Sequence, residues 1–370
     1  DKCGNEFPDE ESKCGKALKF QLHHHVVKME KNSYGRVFRS LKPSLVLPTD
    51  PKLSLADFLF EKTSTYGDKP AIIEADSSFT LSFSELKSIV IAAARGLHRI
   101  GICRHDVVLI FSPNCYLYPV CFLAITYLGA IATTASPVNT FMELSKQVKD
   151  CNPKLVITVP ELWNKVRQLN LPTVYLEMGE KFRSVIDSGV TTFRCLIELG
   201  ISGTDRPLLE TKQSDVACLL YSSGTTGLSK GVILTHRNFI AASLAYTIEQ
   251  AISGEVGCVY ICFLPMFHVY GLSVTSYCQL VCGNTTVTMK KFEIKSFLNA
   301  VEKYKVTDVC SVPPVILALV KQKSEIKHVL SSIRKIKCGA APLGMELMDE
   351  CASIFPWAAV MQFASGIWYD

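Results

Sequence analysis

The sequence has no run of five or more consecutive Lys/Arg, no Cys-x-x-Cys pair and no internal repeat. The first absence removes the electrostatic footprint of a nucleic-acid binder, because a net charge of +5 over 370 residues is spread too thinly to form a stripe. The second, with 15 cysteines scattered singly and odd in number, argues against a disulfide framework and for a reducing compartment. Cys258 with Cys262 and Cys278 with Cys282 have four-residue spacing but no histidine partner, so buried thiols are expected there rather than a metal centre. Charge is also missing altogether from 107 to 142. Pro113, Asn114, Pro119 and Pro137 break that stretch, and its best 20-residue window, 116–135, holds Pro119, Gly129 and three threonines. Consecutive buried elements of an α/β domain explain it better than a membrane span, since a parallel strand covered on both faces is apolar throughout.

Hydrophobic content of 48% against 20% charged is that of a folded enzyme-sized chain. Residues 1–28 are mostly polar, with a His23-His24-His25 run, and read as a tag, leader or disordered segment. Apolar residues at Leu86, Ile89, Val90, Ala93, Leu97 and Ile100 recur at helical spacing and predict a helix over 83–100, with Ser84 as N-cap and Gly101 as stop. Strands are predicted at 70–74, 106–111, 130–134 and 155–159, and again at 259–264, 286–289, 308–312 and 333–338, with helices between them. Strands alternating with helices predict right-handed βαβ units and a mainly parallel sheet. Two α/β subdomains are expected, at 29–205 and 206–370, with 201–212 as the loop between them.

The stretch YSSGTTGLSKGVILTHRN at 221–238 carries the chemistry. Ser222, Ser223, Thr225 and Thr226 offer hydroxyls, Gly224 with Gly227 let backbone amides approach an anion, and Lys230 adds a compact positive charge. It is not a Walker A loop, because Ser229 stands where that pattern needs its second glycine. On composition alone the alternatives are a polyphosphate cradle and an ordinary Ser/Gly-rich turn. Val232 to Leu234 reads as a strand, and Thr235 as the cap of a helix from His236.

YSSGTTGLSKG resembles the signature of the adenylate-forming superfamily, which includes acyl-CoA synthetases, luciferases and adenylation domains. Three further stretches follow in that family's order: FLPMFHVYGL at 263–272, KFEI at 291–294 and KCGAAPLG at 337–344. The wording is most similar to plant 4-coumarate:CoA ligases and their peroxisomal relatives. The resemblance implies the large N-terminal domain of an adenylate-forming enzyme, with its small C-terminal domain missing. It implies a two-step reaction with Mg2+ and ATP as cofactors and CoA as co-substrate, in which a carboxylate attacks the α-phosphate and CoA thiolate then displaces AMP.

By the same resemblance Ser222, Ser223, Gly224, Thr225, Thr226 and Lys230 hold phosphates, Ala340, Ala341 and Pro342 lie along adenine, and Gln362 belongs to the ATP site. His268, Tyr270, Val274 and Lys337 match acyl-pocket positions, with His268 and Lys230 as the catalytic pair, and Lys291 matches a CoA contact. Val274 in place of a polar residue favours an aliphatic or bulky oxylipin-like acid over a hydroxycinnamate. After Gln362 the family continues into Gly-Tyr-Gly-x-Thr-Glu, whereas this sequence reads FASGIWYD. No Mg2+ ligand is therefore identifiable. The expectation is an acid:CoA ligase cut off before the residues needed to finish the reaction, or else an inactive product acting at most as a nucleotide binder or decoy. A monomer in the cytosol or peroxisome is expected, with ATP, CoA and an acid as partners, without nucleic acid or a membrane span.

Overall fold

The computed structural model describes residues 27–32, 35–40, 43–177, 189–202, 210–222, 230–322 and 330–362. Strands β1 (Val27–Asn32) and β2 (Gly35–Ser40) pair antiparallel with each other. Fourteen further strands form two seven-stranded sheets. The second sheet contains β3 (Pro70–Glu74), β4 (Thr80–Ser82), β12 (Val259–Cys262), β13 (Thr285–Thr288), β14 (Asp308–Ser311), β15 (Lys335–Cys338) and β16 (Ala359–Gln362). Its spatial order is β16-β15-β14-β12-β13-β3-β4. The first sheet contains β5 (Val107–Phe111), β6 (Ile131–Thr134), β7 (Leu155–Thr158), β8 (Thr173–Tyr175), β9 (Val190–Thr192), β10 (Val216–Ser222) and β11 (Lys230–Thr235), in the order β11-β10-β6-β5-β7-β8-β9. Each sheet is parallel except for one antiparallel edge strand, β4 in the second and β11 in the first. Membership cuts across residue 205: the early β3 and β4 complete the second sheet, and the later β10 and β11 complete the first.

The helices divide among three layers. Helices α1 (Leu55–Lys62), α2 (Phe83–Arg99), α3 (Leu117–Tyr127) and α7 (His236–Ser253) pack between the sheets, as do α8 (Cys278–Val281) and a π-helical stretch, Tyr270–Tyr277; α6 (Phe193–Ile201) lies against α2. Helices α4 (Phe141–Cys151) and α5 (Trp163–Val166) cover the far face of the first sheet. Helices α9 (Ile294–Tyr304), α10 (Pro313–Lys321) and α11 (Met345–Ile354) cover the far face of the second.

The uncharged stretch is resolved by this layering. It forms β5, α3 and β6 in succession, and α3 is buried from Leu117 through Thr126. Among the described residues no helix is long and apolar enough to cross a membrane. Helix α2 forms as the periodicity predicts, but its N-cap is Ser82 rather than Ser84. Ser82 ends β4, and with Glu85 three residues on it closes a capping box, the Glu85 amide donating to Ser82 Oγ at 3.2 Å and the Ser82 amide donating to Glu85 Oε2 at 2.7 Å. Thr235 caps α7 as expected, in a reciprocal box with Asn238. All 13 described cysteines are free thiols, and the described residues contain no group of three or more His, Cys, Asp or Glu suited to a metal.

Candidate active site

Parallel strands deliver their C-terminal ends to one edge, where α/β sheets place ligands. In the second sheet the register puts Ser311 opposite Cys338 and Cys338 opposite Gln362, with Cys262 opposite Thr288. The loops leaving that edge carry the residues singled out above. His268 and Tyr270 follow β12, Lys291 follows β13, Ala340 to Pro342 follow β15, and Gln362 ends β16.

The first sheet meets this edge through two polar links. Asn114, just beyond β5, donates from Nδ2 to the Leu264 carbonyl at 2.9 Å and accepts the Met266 amide at 2.8 Å. Thr134, the last residue of β6, donates to the Phe267 carbonyl at 2.7 Å. The loop before His268 is therefore clamped to the C-terminal end of the first sheet. On that same sheet β10 and β11 pair Ser222 with Lys230, so the two ends of the Ser/Gly-rich loop stand side by side, both exposed. Ser223, Gly224, Thr225 and Thr226 lie outside the described residues. The hairpin root is tied down by Tyr221, whose hydroxyl donates to Asp150; burial and that carboxylate push the phenol's pKa up.

Tyr270 opens the π-helical stretch, an irregularity frequent at functional sites. Its hydroxyl donates to the Lys337 carbonyl at 3.4 Å, and its ring lies against Gly339, where an added Cβ would meet the Tyr270 oxygen at 3.1 Å. Gly271 is required by close approach: a Cβ there would stand 2.1 Å from the Pro265 carbonyl oxygen. The turn PMFHVYG thus folds back on itself and presents His268 at the surface, its Nδ1 facing the Tyr270 amide at 3.4 Å. Ala340 has φ of 66°, a left-handed conformation that costs a non-glycine residue of order 1 kcal/mol, and it turns the 340–342 loop outward with all three residues exposed. Val274 is buried in the apolar cluster behind the loop. Lys291 is exposed, with no described contact to the other candidates.

Lys337 is the surprise. An acyl pocket was expected to be apolar, yet this lysine is 3% exposed and sits among polar groups. Its Nζ donates to the Tyr260 hydroxyl at 3.2 Å, lies over the Tyr246 and Tyr260 rings at 5.7 and 5.6 Å, and stands 3.9 Å from Glu249. Burial pushes the phenols of Tyr246 and Tyr260 well up, so both remain neutral hydrogen-bonding partners. Sequence reading missed Tyr246 and Glu249, which lie within α7 beyond the motif at 221–238, and Tyr260, three residues before the motif at 263–272. It also missed Asn114, a polar residue just past the apolar strand β5, and Thr134, which ends β6.

The family model described as AMP-binding enzyme matches residues 59–364. The peroxisomal OPC-8:0-CoA ligase 1 of Arabidopsis thaliana is 38% identical over 333 residues, covering 88% of this chain and 59% of that protein. The 4-coumarate--CoA ligase 1 of the same plant is 36% identical over 348 residues, 90% of this chain and 61% of its own length. This chain therefore spans about three fifths of the relatives it matches. Among solved structures, a long-chain-fatty-acid-CoA ligase of Archaeoglobus fulgidus superposes with a TM-score of 0.75 at 25% identity, over 87% of this chain and 65% of that one. A luciferase-like enzyme of Zophobas morio gives 0.74 at 23%, covering 89% and 76%, a likeness of fold. A family match reaching from α1 to β16, with both sheets accounted for by solved relatives, leaves one assignment: the chain belongs to the AMP-binding enzymes.

Proposed function

We propose that this chain carries the nucleotide- and acyl-binding part of an ATP-dependent acid:CoA ligase. The supporting observation is that one clamped edge gathers the paired ends of the Ser/Gly-rich loop, the 340–342 loop, Gln362 and the His268–Tyr270 turn. Lys230 and the hydroxyls from Ser222 to Thr226 hold the β- and γ-phosphates. Ala340, Ala341 and Pro342 bound the adenine, and His268 orients the carboxylate. In the first step a carboxylate oxygen bonds to the α-phosphorus as the bond to the β-phosphate bridging oxygen breaks. Negative charge grows on the departing pyrophosphate, where preorganised donors and a cation act most strongly. In the second step CoA thiolate attacks the acyl carbonyl and AMP leaves, with Lys291 as a CoA contact. Mg2+ carried by ATP would offset part of that charge, and no residue of this sequence is assigned as its ligand.

The relatives named as 4-coumarate and OPC-8:0 ligases support a phenylpropanoid or oxylipin acid, and Val274 favours the aliphatic type. The name of the second supports a peroxisomal location beside a cytosolic one. The 370 residues alone are proposed to bind nucleotide without completing thioester formation, since the family's Gly-Tyr-Gly-x-Thr-Glu segment has no counterpart among them. They divide into subdomains at 29–205 and 206–370 along the chain, each lending two strands to the other's sheet, and act as a monomer. Titration calorimetry with ATP tests the site: Lys230→Ala should weaken binding at least about tenfold, equivalent to about 1.4 kcal/mol. Unchanged affinity would remove the phosphate assignment.

A further inference from the structure

Helix α4 covers the far face of the first sheet, yet one of its three buried residues is a glutamine. Gln147 is 7% exposed, and an amide so placed is costly unless its hydrogens meet acceptors. Both do so on β6: Nε2 donates to Thr133 Oγ1 at 3.2 Å and to the Thr134 carbonyl at 2.9 Å. A backbone carbonyl only accepts, so the nitrogen of the amide, not its oxygen, faces the strand. The two threonines then part. Thr133 donates to the Leu219 carbonyl on β10 at 3.0 Å, three residues before Ser222 and the start of the Ser/Gly-rich loop. Thr134 donates to the Phe267 carbonyl at 2.7 Å, one residue before His268. Successive side chains leave a strand on opposite faces, which is how neighbouring hydroxyls reach two different segments. Three residues further along α4, Asp150 accepts the Tyr221 hydroxyl and holds the hairpin root a second time.

We infer that Gln147 is a positioning residue for acyl adenylate formation, holding through Thr133 and Thr134 the spacing between the phosphate loop and the turn that carries His268. This rests on the reading of that loop as the phosphate site and of that turn as the carboxylate site. In-line attack needs the carboxylate oxygen about 3–3.5 Å from the α-phosphorus, and an error of about 1 Å can cost about a hundredfold in rate. The two segments hang from β12 and β10, strands of different sheets, so alignment needs a common point of attachment. One amide nitrogen bonded to consecutive residues of β6 supplies it, and its place behind the first sheet keeps it clear of both ligands.

The test is titration calorimetry on the full 370-residue chain, with ATP and an acid titrated separately, the acid being whichever of octanoate and 4-coumarate the parent binds more tightly. Thr133→Val should weaken ATP at least about threefold and leave the acid within about twofold, and Thr134→Val should do the reverse, on the scale of one net hydrogen bond. Gln147→Met, which keeps length and removes both donors, should weaken both ligands at least about threefold. In a His268→Ala background it should no longer affect the acid, because a positioning residue acts through the group it positions. A merely structural glutamine gives a loss that persists when His268 is gone. Unchanged affinity for either ligand in Gln147→Met overturns the inference and leaves the two sites standing, as does a further loss of acid affinity in the His268→Ala background. Threonine variants that do not separate the two ligands overturn it as well, and they decide alone if Gln147→Met fails to fold. A parent chain that binds no ATP, or neither acid, sinks the reading of the site and the inference with it.

Discussion

The two faces of the second sheet come from the same strands and share almost no chemistry. Toward α9, α10 and α11 the strands present Ile261, Val287, Val309 and Ile336, closed over by Phe297 and Ile316. Toward α7 the alternate residues are Thr286, Tyr260, Asp308 and Lys335 in one row, and Thr288, Cys262, Cys310 and Lys337 in the next, as the register aligns them. Side chains alternate across a strand, so one register decides both sets at once. The outer face gains stability from close-packed hydrocarbon. The inner face gives up some of that: Asp308 Oδ1, Thr286 Oγ1 and Thr288 Oγ1 are buried without a hydrogen-bond partner in the structure. Buried polar groups of this kind carry a penalty of about 1–3 kcal/mol each unless water or a ligand reaches them. Of the three, Thr288 ends its strand, whereas Asp308 opens β14 and Thr286 lies second in β13.

The sharpest way to break the comparison is to cut equally into both sides. Phe297→Ala removes a fully buried ring stacked near Phe263 and Phe292, and should lower unfolding stability by about 3–5 kcal/mol in urea melts. Lys337→Met, conserving volume on the inner face, should stay within about 2 kcal/mol of the parent. An inner-face loss larger than the outer would reverse the roles assigned here.

A second prediction concerns α7, which roofs the inner face. His236 at its start is buried, and its Nδ1 accepts the Leu55 amide at 3.1 Å, joining α7 to α1. Burial lowers its pKa from the usual 6.5 to about 4. The unfolded chain therefore takes up a proton before the folded one does, and stability falls as pH drops from about 6.5 toward 4, by roughly 3 kcal/mol in all. Replacing the imidazole in His236→Gln should flatten that part of the profile. Hydrogen exchange at low pH should quicken in α7 before it does in α9.

Smaller still is the coupling between Lys337 and Glu249, 3.9 Å apart. Lys337→Met leaves Glu249 without its cation, whereas Lys337→Met with Glu249→Leu removes both charges. The double variant should exceed the single in stability by about 1 kcal/mol, measured by chemical denaturation. The least effect at neutral pH belongs to the thiols. Burial pushes Cys262 and Cys310 up to about 12 from an ordinary 9. Their contribution is intact below pH 9 and is lost as pH rises toward 12, so an alkaline melt should destabilise the fold over that window. In the native state at pH 8 a thiol reagent should modify exposed Cys103 well before either.

Much of the chain's local structure was legible without coordinates, because its causes lie within a few residues. The apolar spacing from Leu86 to Ile100 makes a helix wherever it sits, and Thr235 with Asn238 caps α7 by contacts three residues apart. The strand Val232 to Leu234 within the motif at 221–238 forms as expected, inside β11, which pairs with β10 across the loop. Even there Ser82 displaced Ser84, because the cap belongs to whichever serine ends the preceding strand. What only the tertiary structure decided are the pairings between distant segments. No local signal says that β3 and β4 join the strands after 259, or that β10 and β11 join those before 176. Nor does any motif announce that Glu249 on α7 faces Lys337 on β15, or that Asn114 and Thr134 hold the turn before His268. Those contacts are set by register and by the burial of whole faces against each other, quantities that sum over the entire chain and that no stretch of it contains.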